Sequence, residues 1–325
     1  MPRPKVALLT GIPDEMLKEI IEEFPEELDV AVAHRGSSDE EMVAVCRDAE
    51  FMVAALAGPN AELLKACPKL RFVQLWSAGF EWLPLDVLDE RGIAVANNGG
   101  SNAIAVAEVA IALMLAVYRN LEKQWQTIDS KKWNLDMDPT RNYEITGKTV
   151  GIIGLGNIGK HVAQRLNGWA ERLLYYDVVD VPRSEEERLA VERVPLEALL
   201  KESDIVTIHV PHNEHTHHMM GQREFSLMKP SAIFVNTCRG GVADEPALIK
   251  ALKEGEIAAA GLDVFEKEPI EPDNPLLEMD NVFRLPHRAG ASIDTFRRSA
   301  EFGFENVLRV ARGEEPLAQV WPRKR

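Results

Sequence analysis

Basic charge is in short supply in this chain. Its 325 residues hold 37 Lys and Arg against 52 Asp and Glu, a formal net charge of -15. That excess repels nucleic acid and anionic lipid unless a local basic patch overrides it. Only the terminal PRKR approaches such a patch, and four residues at a chain end are expected to be solvated rather than to serve as an address. Cysteine is scarce too. Cys46, Cys67 and Cys238 are odd in number and widely spaced, which argues against a disulfide framework and suits a reducing compartment. Long apolar runs are missing: AIAVAEVAIALMLAV, over 103–117, carries Glu108 and stops short of the ~20 residues that cross a bilayer. The N-terminus passes from MPRPK straight into VALLT with no signal-peptide core, and there is no internal repeat or low-complexity tract. A cytoplasmic globular protein is expected, with neither nucleic acid nor membrane as a partner.

What is present is regular. At 325 residues the chain is about twice the ~150-residue domain prior, so two domains are expected. Short apolar runs alternate with polar helical stretches from end to end, the pattern of parallel sheets covered by helices. KVALLT, DVAVA, FMVAAL, LRFVQLW and IAVANN are the strands of the first third. TVGIIG, RLLYYD, DIVTIHV, AIFVNT, AAAGLDV and VFRLP repeat the scheme further on. Between the two sets a long apolar helix beginning near Asn102 runs into YRNLEKQWQTIDSKKWN, and a fresh strand starts only at Lys148. After His287 the amphipathic SIDTFRRSAEFGFENVLRVARG has no further strand of the second set to follow, so it is expected to return to the first. The boundaries implied are 1–101 and 290–325 for a discontinuous substrate domain, and 102–289 for an inserted nucleotide-binding domain.

The segment VGIIGLGNIGKHVAQRL places Gly154, Gly156 and Gly159 in GxGxxG spacing between a strand and a helix. The first glycine permits the tight turn, the second lets backbone approach a pyrophosphate at the helix N-terminus, and the third allows close helix–strand packing. The next strand ends at Asp177, where a carboxylate binds a ribose diol and repels a 2′-phosphate, so NAD is expected over NADP. Three more residues follow apolar strands: Arg239 after AIFVNTC, Glu268 in GLDVFEKEP beyond Asp263, and His287 in FRLPHRAG. Open α/β sheets bind ligands beyond such strand ends. An arginine takes a carboxylate bidentately, a histidine moves a proton near neutral pH, and a carboxylate orients that histidine. These are the parts for hydride exchange between a nicotinamide and an anionic 2-hydroxy acid.

Together the segments resemble the D-isomer-specific 2-hydroxyacid dehydrogenases, which include phosphoglycerate, glycerate, hydroxypyruvate and glyoxylate enzymes. The resemblance is strongest over 148–291, through GLGNIG, LLKESDIVTIHVPHNEHTHHMMG, MKPSAIFVNTCRGGVADEPALIKAL, GLDVFEKEP and PHRAG. It continues more loosely through SAGFEWLPLDVLDERGIAVANN and VAEVAIALMLAVYRN. It implies a Rossmann NAD-binding domain inserted into a flavodoxin-like substrate domain, both doubly wound α/β units, and a homodimer packed through the long helix after Asn102. It implies that Arg239 binds substrate carboxylate and carbonyl oxygen, that His287 is the acid/base, and that Glu268 pairs with it. Ser77, Ala78 and Gly79 would hold the carboxylate through backbone N–H groups, with Asn102 close to substrate. Cofactor contacts are implied at Asn157 and Ile158 within the glycine loop, at Val210 and Pro211 after DIVTIH, at Thr237 and Cys238 beside Arg239, and at Asp263, His287 and Gly290. The implied reaction interconverts a small D-2-hydroxy acid and its 2-oxo acid, in the glyoxylate, hydroxypyruvate and phosphoglycerate class.

Some residues depart from the family pattern. FEWLPLD follows Gly79 where a small or aliphatic residue and then Asp are common, Val109 stands where histidine is common, and Trp76, Phe80 and Trp82 add aromatic bulk. Asn102 is similar to the formate-binding asparagine of formate dehydrogenases, and NTCRG to phosphite dehydrogenase. C-terminal-binding corepressors share the resemblance without enzymatic emphasis. These readings stand beside the leading one. His209, His212, His215, His217 and His218 crowd into ten residues; the family's corresponding loop carries no metal, and none is expected.

Overall fold

The computed structural model describes residues 3–21, 24–131, 133 and 142–322; the basic tail Arg323, Lys324 and Arg325 lies outside them. The chain divides into two compact units, Met1–Asn102 with Ala291–Arg325, and Ala103–Gly290. Unit 1 begins β1 (Lys5–Thr10), α1 (Asp14–Ile21), β2 (Asp29–His34), α2 (Asp39–Cys46), β3 (Phe51–Ala55), α3 (Ala61–Lys65), β4 (Phe72–Leu75), α4 (Leu85–Glu90) and β5 (Ala94–Ala96). Unit 2 opens with α5 (Ala103–Tyr118) and α6 (Leu121–Asp129). It continues β6 (Thr149–Ile153), α7 (Asn157–Leu166), β7 (Arg172–Tyr176), α8 (Arg183–Leu189), β8 (Val191–Arg193), α9 (Leu196–Glu202) and β9 (Ile205–Ile208). Then come α10 (Gln222–Leu227), β10 (Ile233–Asn236), α11 (Glu245–Glu254), β11 (Ala259–Leu262) and β12 (Val282–Arg284), and the chain returns to unit 1 with α12 (Ile293–Ala311) and β13 (Gln319–Trp321).

Each unit is an open sheet. Unit 2 has the order β12-β11-β10-β9-β6-β7-β8, all parallel, so its strand order reverses between β6 and β9, as in dinucleotide-binding folds. Unit 1 runs β13-β5-β4-β3-β1-β2; its parallel strands follow the flavodoxin-like order with the reversal between β1 and β3. Central strands such as β3 and β10 are buried at every residue, because helices cover both faces of a parallel sheet. In unit 1 the returning α12 lays Ala300, Phe304 and Val307 into the core beside Trp76, each large apolar side chain worth about 1.5–3 kcal/mol on burial. Asn306 Nδ2 fixes its register by donating to Gln74 Oε1 at 2.7 Å.

Two strands and one break differ from the sequence expectation. β8 is a three-residue edge strand, and β13 pairs antiparallel with β5; both are too short to show a period. The single helix expected from Asn102 onward is two helices that bend by 70°. Asn120 takes φ 54° at the break, a left-handed conformation that asparagine tolerates. Among the described residues no single helix is long and apolar enough to cross a membrane; α5 and α6 meet that test only as a bent pair. The apolar side chains of α5, among them Val106, Ala110, Leu113 and Met114, are buried inside unit 2.

Candidate active site

Arg239 leaves the carboxyl end of β10 on a turn that Asn236 pins from inside. Asn236 Oδ1 accepts from the Cys238 N–H at 3.0 Å, and its Nδ2 donates to the Arg239 carbonyl at 3.0 Å. Arg239 Nη1 donates to the Cys238 carbonyl at 2.6 Å. Gly240 follows because nothing larger fits: a Cβ there would lie 1.9 Å from the Phe265 carbonyl carbon and oxygen. The turn carrying Arg239 is thus pressed onto the loop carrying Glu268. Beyond it Asp244 caps α11 by accepting from the Ala247 N–H at 3.1 Å. Cys238 is buried, and burial pushes its thiol up to about 11, so it stays protonated near neutral pH.

His287 and Glu268 meet directly. His287 Nδ1 lies 2.6 Å from Glu268 Oε2, and Glu268 Oε1 accepts from the Phe265 N–H at 3.0 Å. Burial pushes the Glu268 carboxyl upward, but the His287 and Phe265 hydrogen bonds, with the charges of His287 and Arg239, outweigh it and hold the group below its ordinary value. Desolvation set against specific charge partners is the pattern found at functional carboxylates. Asp263, 1% exposed, clamps the backbone at the histidine and at the two residues after it. Its carbonyl accepts from the His287 N–H at 2.7 Å, and its carboxylate oxygens accept from the Arg288 and Ala289 N–H groups at 2.8 Å each. Desolvation raises the Asp263 pKa against those two hydrogen bonds. His287 itself takes φ 53°, a strained backbone held where its side chain, half exposed, remains accessible.

The glycine loop fits a dinucleotide. Gly154 takes φ 91°, and a Cβ there would lie 2.7 Å from the His209 carbonyl oxygen. Gly156 precedes α7, whose first residues are Asn157 and Ile158, and a Cβ on Gly156 would meet nothing within 4 Å. Open space therefore lies over the amide end of α7, where a phosphate is favoured. Gly159 packs its Cα against Gly154. Asp177 at the end of β7 ties the loop down: Oδ2 accepts from the Leu155 N–H at 2.7 Å and Oδ1 from the Val179 N–H at 2.9 Å. Val210 and Pro211 follow β9 across the strand-order reversal, with Val210 against Gly154. Thr237, 6% exposed, has a buried hydroxyl with no partner, as expected where a ligand supplies one. Gly290 closes the His287 loop and ends unit 2.

In unit 1, Ser77, Ala78 and Gly79 follow β4 and are held through their carbonyls. Asn98 N–H donates to Ser77 O at 3.1 Å, Asn97 Nδ2 to Ala78 O at 3.0 Å, and Ser77 Oγ to Gly79 O at 2.8 Å. Asn102 is the last residue before α5. Three histidines of the crowded segment lie in ring contact, His212 with His217 at 5.4 Å between centroids and His217 with His218 at 3.8 Å. His209 is buried against Thr207, His212 Nε2 faces His217 Nδ1 at 3.1 Å, and His218 Nε2 meets Glu266 Oε1 at 2.8 Å. Among the described residues no group of three or more His, Cys, Asp or Glu side chains could hold a metal ion. The sequence reading does not single out Asn236, whose signal is its place at the strand end three residues before Arg239, nor Val178 and Val179, apolar yet 84% and 65% exposed beside Asp177.

Known proteins carry the same organisation. Residues 111–289 match the family model described as D-isomer specific 2-hydroxyacid dehydrogenase, NAD binding domain. The chain belongs to that family. Glyoxylate reductase of Korarchaeum cryptofilum is 42% identical, over 97% of this chain and 95% of the relative. Among solved structures, the holo form of Rhodotorula graminis D-mandelate dehydrogenase superposes with a TM-score of 0.83 at 32% identity, covering 100% of this chain and 99% of the other. The NAD-complexed D-isomer specific 2-hydroxyacid dehydrogenase of Lactobacillus delbrueckii gives 0.78 at 25% identity, covering 97% and 99%. The chain is accordingly an NAD(P)-dependent oxidoreductase of the 2-hydroxyacid dehydrogenase class.

Proposed function

We propose that this enzyme interconverts D-2-hydroxy acids and their 2-oxo acids, glyoxylate and hydroxypyruvate among them, with Arg239, Glu268 and His287 as the chemical set and NAD(H) as cofactor. The observation that carries the reading is the 2.6 Å contact of His287 Nδ1 with Glu268. An ionised Glu268 accepts from Nδ1–H, which leaves Nε2 as the nitrogen that exchanges a proton with the substrate oxygen. Bound nicotinamide supplies hydride to the oxo carbon, or takes it from the hydroxy acid. In reduction His287 Nε2–H delivers the proton to the oxygen; in oxidation the neutral ring removes it. The planar Arg239 fork pairs with the substrate carboxylate and polarises the carbonyl oxygen. The N–H groups of Ser77, Ala78 and Gly79 share the carboxylate, with Asn102 as a further contact.

The glycine loop and its neighbours Val210, Pro211, Thr237, Cys238, Asp263 and Gly290 would hold the dinucleotide. Asp177 favours NAD over NADP, because its carboxylate accepts from a ribose diol and repels a 2′-phosphate. The three free, buried cysteines support a reducing cytoplasmic setting. The enzyme works as a homodimer, a reading supported by α6, whose Leu121, Trp125 and Ile128 stay exposed.

The test is a steady-state panel of glyoxylate, hydroxypyruvate, formate and phosphite with NAD(H) and NADP(H), on wild type and Arg239 variants. Arg239→Ala is expected to cost roughly 100- to 10,000-fold in kcat/KM, since a charge-assisted hydrogen bond is worth about 1.5–3 kcal/mol and two are lost. Arg239→Lys should recover part of it. Near wild-type kcat/KM for Arg239→Ala with every accepted acid would overturn the assignment, and a preference for NADPH would overturn the role of Asp177.

A further inference from the structure

Three of the crowded histidines form a brace around the turn that carries Arg239. Their backbone runs alongside that turn: the His218 N–H donates to Gly241 O at 2.9 Å, the Met220 N–H to Val242 O at 3.1 Å, and the Asp244 N–H to Met220 O at 3.0 Å. Side chains close the brace. His212 lies over Gly241, where a Cβ would come within 2.8 Å of its Nε2, and that nitrogen is 3.1 Å from His217 Nδ1. The His217 ring stacks on His218 with centroids 3.8 Å apart, and His218 Nε2 reaches Glu266 Oε1 at 2.8 Å. Glu266 returns to the turn, its backbone nitrogen 2.3 Å from the place a Cβ on Gly240 would take.

The brace ends next to the acid/base pair. Glu266 adjoins Phe265, whose N–H donates to Glu268 Oε1 at 3.0 Å, while Glu268 Oε2 lies 2.6 Å from His287 Nδ1. A shift of the 265–266 backbone therefore shifts the donor that orients Glu268. That backbone is held by an exchange with Glu245: the Glu266 N–H donates to Glu245 Oε2 at 3.0 Å, and Glu266 Oε2 accepts from the Glu245 N–H at 3.3 Å. Both partners of the exchange are carboxylates, which repel at such range, and His218 faces Glu266 with a hydrogen to donate. His218 takes φ 52°, a left-handed backbone in which histidine is among the few non-glycine residues enriched. Its side chain and that of Glu266 are each 34% exposed, so neither fills the core. A strained residue whose side chain ties two loops together, and packs no core, points to a task at the site.

We propose that His218 is a positioning residue for the acid/base pair: through Glu266 it holds the loop that carries Glu268 against the turn that carries Arg239. The inference rests on the reading of Arg239, Glu268 and His287 as the chemical set. His218 acts on the geometry of that set, where a misplacement of about 1 Å can cost on the order of 100-fold in rate. The effect has a signature beyond rate. Burial raises the Glu268 carboxyl, but its hydrogen bonds to His287 and the Phe265 N–H, with the charges of His287 and Arg239, hold it below its ordinary value. The charged groups facing it are His287, Arg239 and Asp263. When the loop drifts, the Phe265 hold weakens and the carboxyl rises. The acid limb of reductive kcat/KM, which needs Glu268 ionised, then moves to higher pH.

The experiment measures reduction of glyoxylate and hydroxypyruvate with NADH, across pH, by wild type, His218→Gly, Glu266→Ala and the double variant. Glycine accepts a left-handed backbone without strain, so His218→Gly removes the side chain alone; Glu266→Ala reads the same brace from its other end if that variant fails to fold. Each single variant is expected to lose about tenfold in kcat/KM for the oxo acid, with the KM for NADH within about twofold of wild type and the acid limb moved to higher pH. The double variant should lose no more than the worse single one, because the two side chains act as one unit. Single variants within about twofold of wild type, losses that multiply in the double variant, or a loss of rate with the acid limb unmoved would each overturn the proposal and spare the proposed function. A wild type that reduces neither acid would overturn the proposed function, and the positioning role with it.

Discussion

His209 is a histidine denied its proton by burial, which lowers its pKa to about 3. Its Nε2 lies 3.0 Å from Thr207 Oγ1, and its carbonyl oxygen forms the floor under Gly154. In the unfolded chain the same ring titrates near ~6.5. Between those two values the unfolded state binds a proton that the folded state refuses, so stability falls as pH drops from about 6.5 toward 3, at up to roughly 1.4 kcal/mol per pH unit. His209→Gln keeps a polar partner for Thr207 and removes that titration. Urea unfolding of the variant between pH 6.5 and 4 should show a flatter decline of stability than wild type; parallel declines would mean that the ring is protonated in the folded protein. At this scale the sequence was legible wherever chemistry follows a buried strand. Arg239, Glu268 and His287 were singled out because a charged residue after an apolar run has few structural uses, and the fold brings Glu268 and His287 into contact. Asn236 and the Asp263 clamp act through backbone N–H groups, which the sequence does not display, and so their tasks emerged only with the fold.

At the scale of an element, the turn between β6 and α7 is legible in the sequence. GxGxxG spacing announces the turn and gives each glycine its own task, and the three differ in geometry. Gly154 is required by its left-handed backbone and Gly159 by contact with Gly154, whereas Gly156 has an ordinary φ of -76° and empty space beyond its Cα. The protein alone therefore tolerates a methyl group at Gly156, and a pyrophosphate at the start of α7 would not. Gly156→Ala is expected to leave the melting temperature within about 1–2 °C, because nothing in the fold is displaced, and to weaken NADH binding by tenfold or more in a fluorescence titration. Loss of stability with unchanged NADH affinity would show that this glycine serves packing. Elements with a strong period were recovered from sequence: the buried parallel strands, and α12 with its apolar face returning to unit 1. The short edge strands β8 and β13, and the break at Asn120, depend on pairing and on one dihedral angle, neither of which a hydrophobic pattern encodes.

For the molecule as a whole, the unresolved demand is the surface of α6. Leu121, Trp125 and Ile128 recur at the spacing of one helical face and are 45%, 69% and 56% exposed, and no residue of α6 is buried. Own-chain packing thus gives this amphipathic helix almost none of the stability that such helices normally draw from a covered face. A second copy covering it would bury the remainder of three large apolar side chains per chain, each worth about half of the ~1.5–3 kcal/mol of full burial because it is already partly covered. Electrostatics oppose that association, since each chain carries a formal charge of -15. Dimerisation driven by this face should therefore strengthen as salt screens the repulsion, whereas an interface built on exposed ion pairs would weaken. Sedimentation equilibrium at low and high salt separates the two. The double variant Trp125→Glu with Ile128→Glu should sediment as a monomer with unchanged helical content, because neither side chain contributes to the core of its own unit. A wild-type monomer at tens of micromolar would overturn the homodimer, and a double variant that still dimerises would place its interface elsewhere; either outcome leaves the exposed face of α6 without a partner.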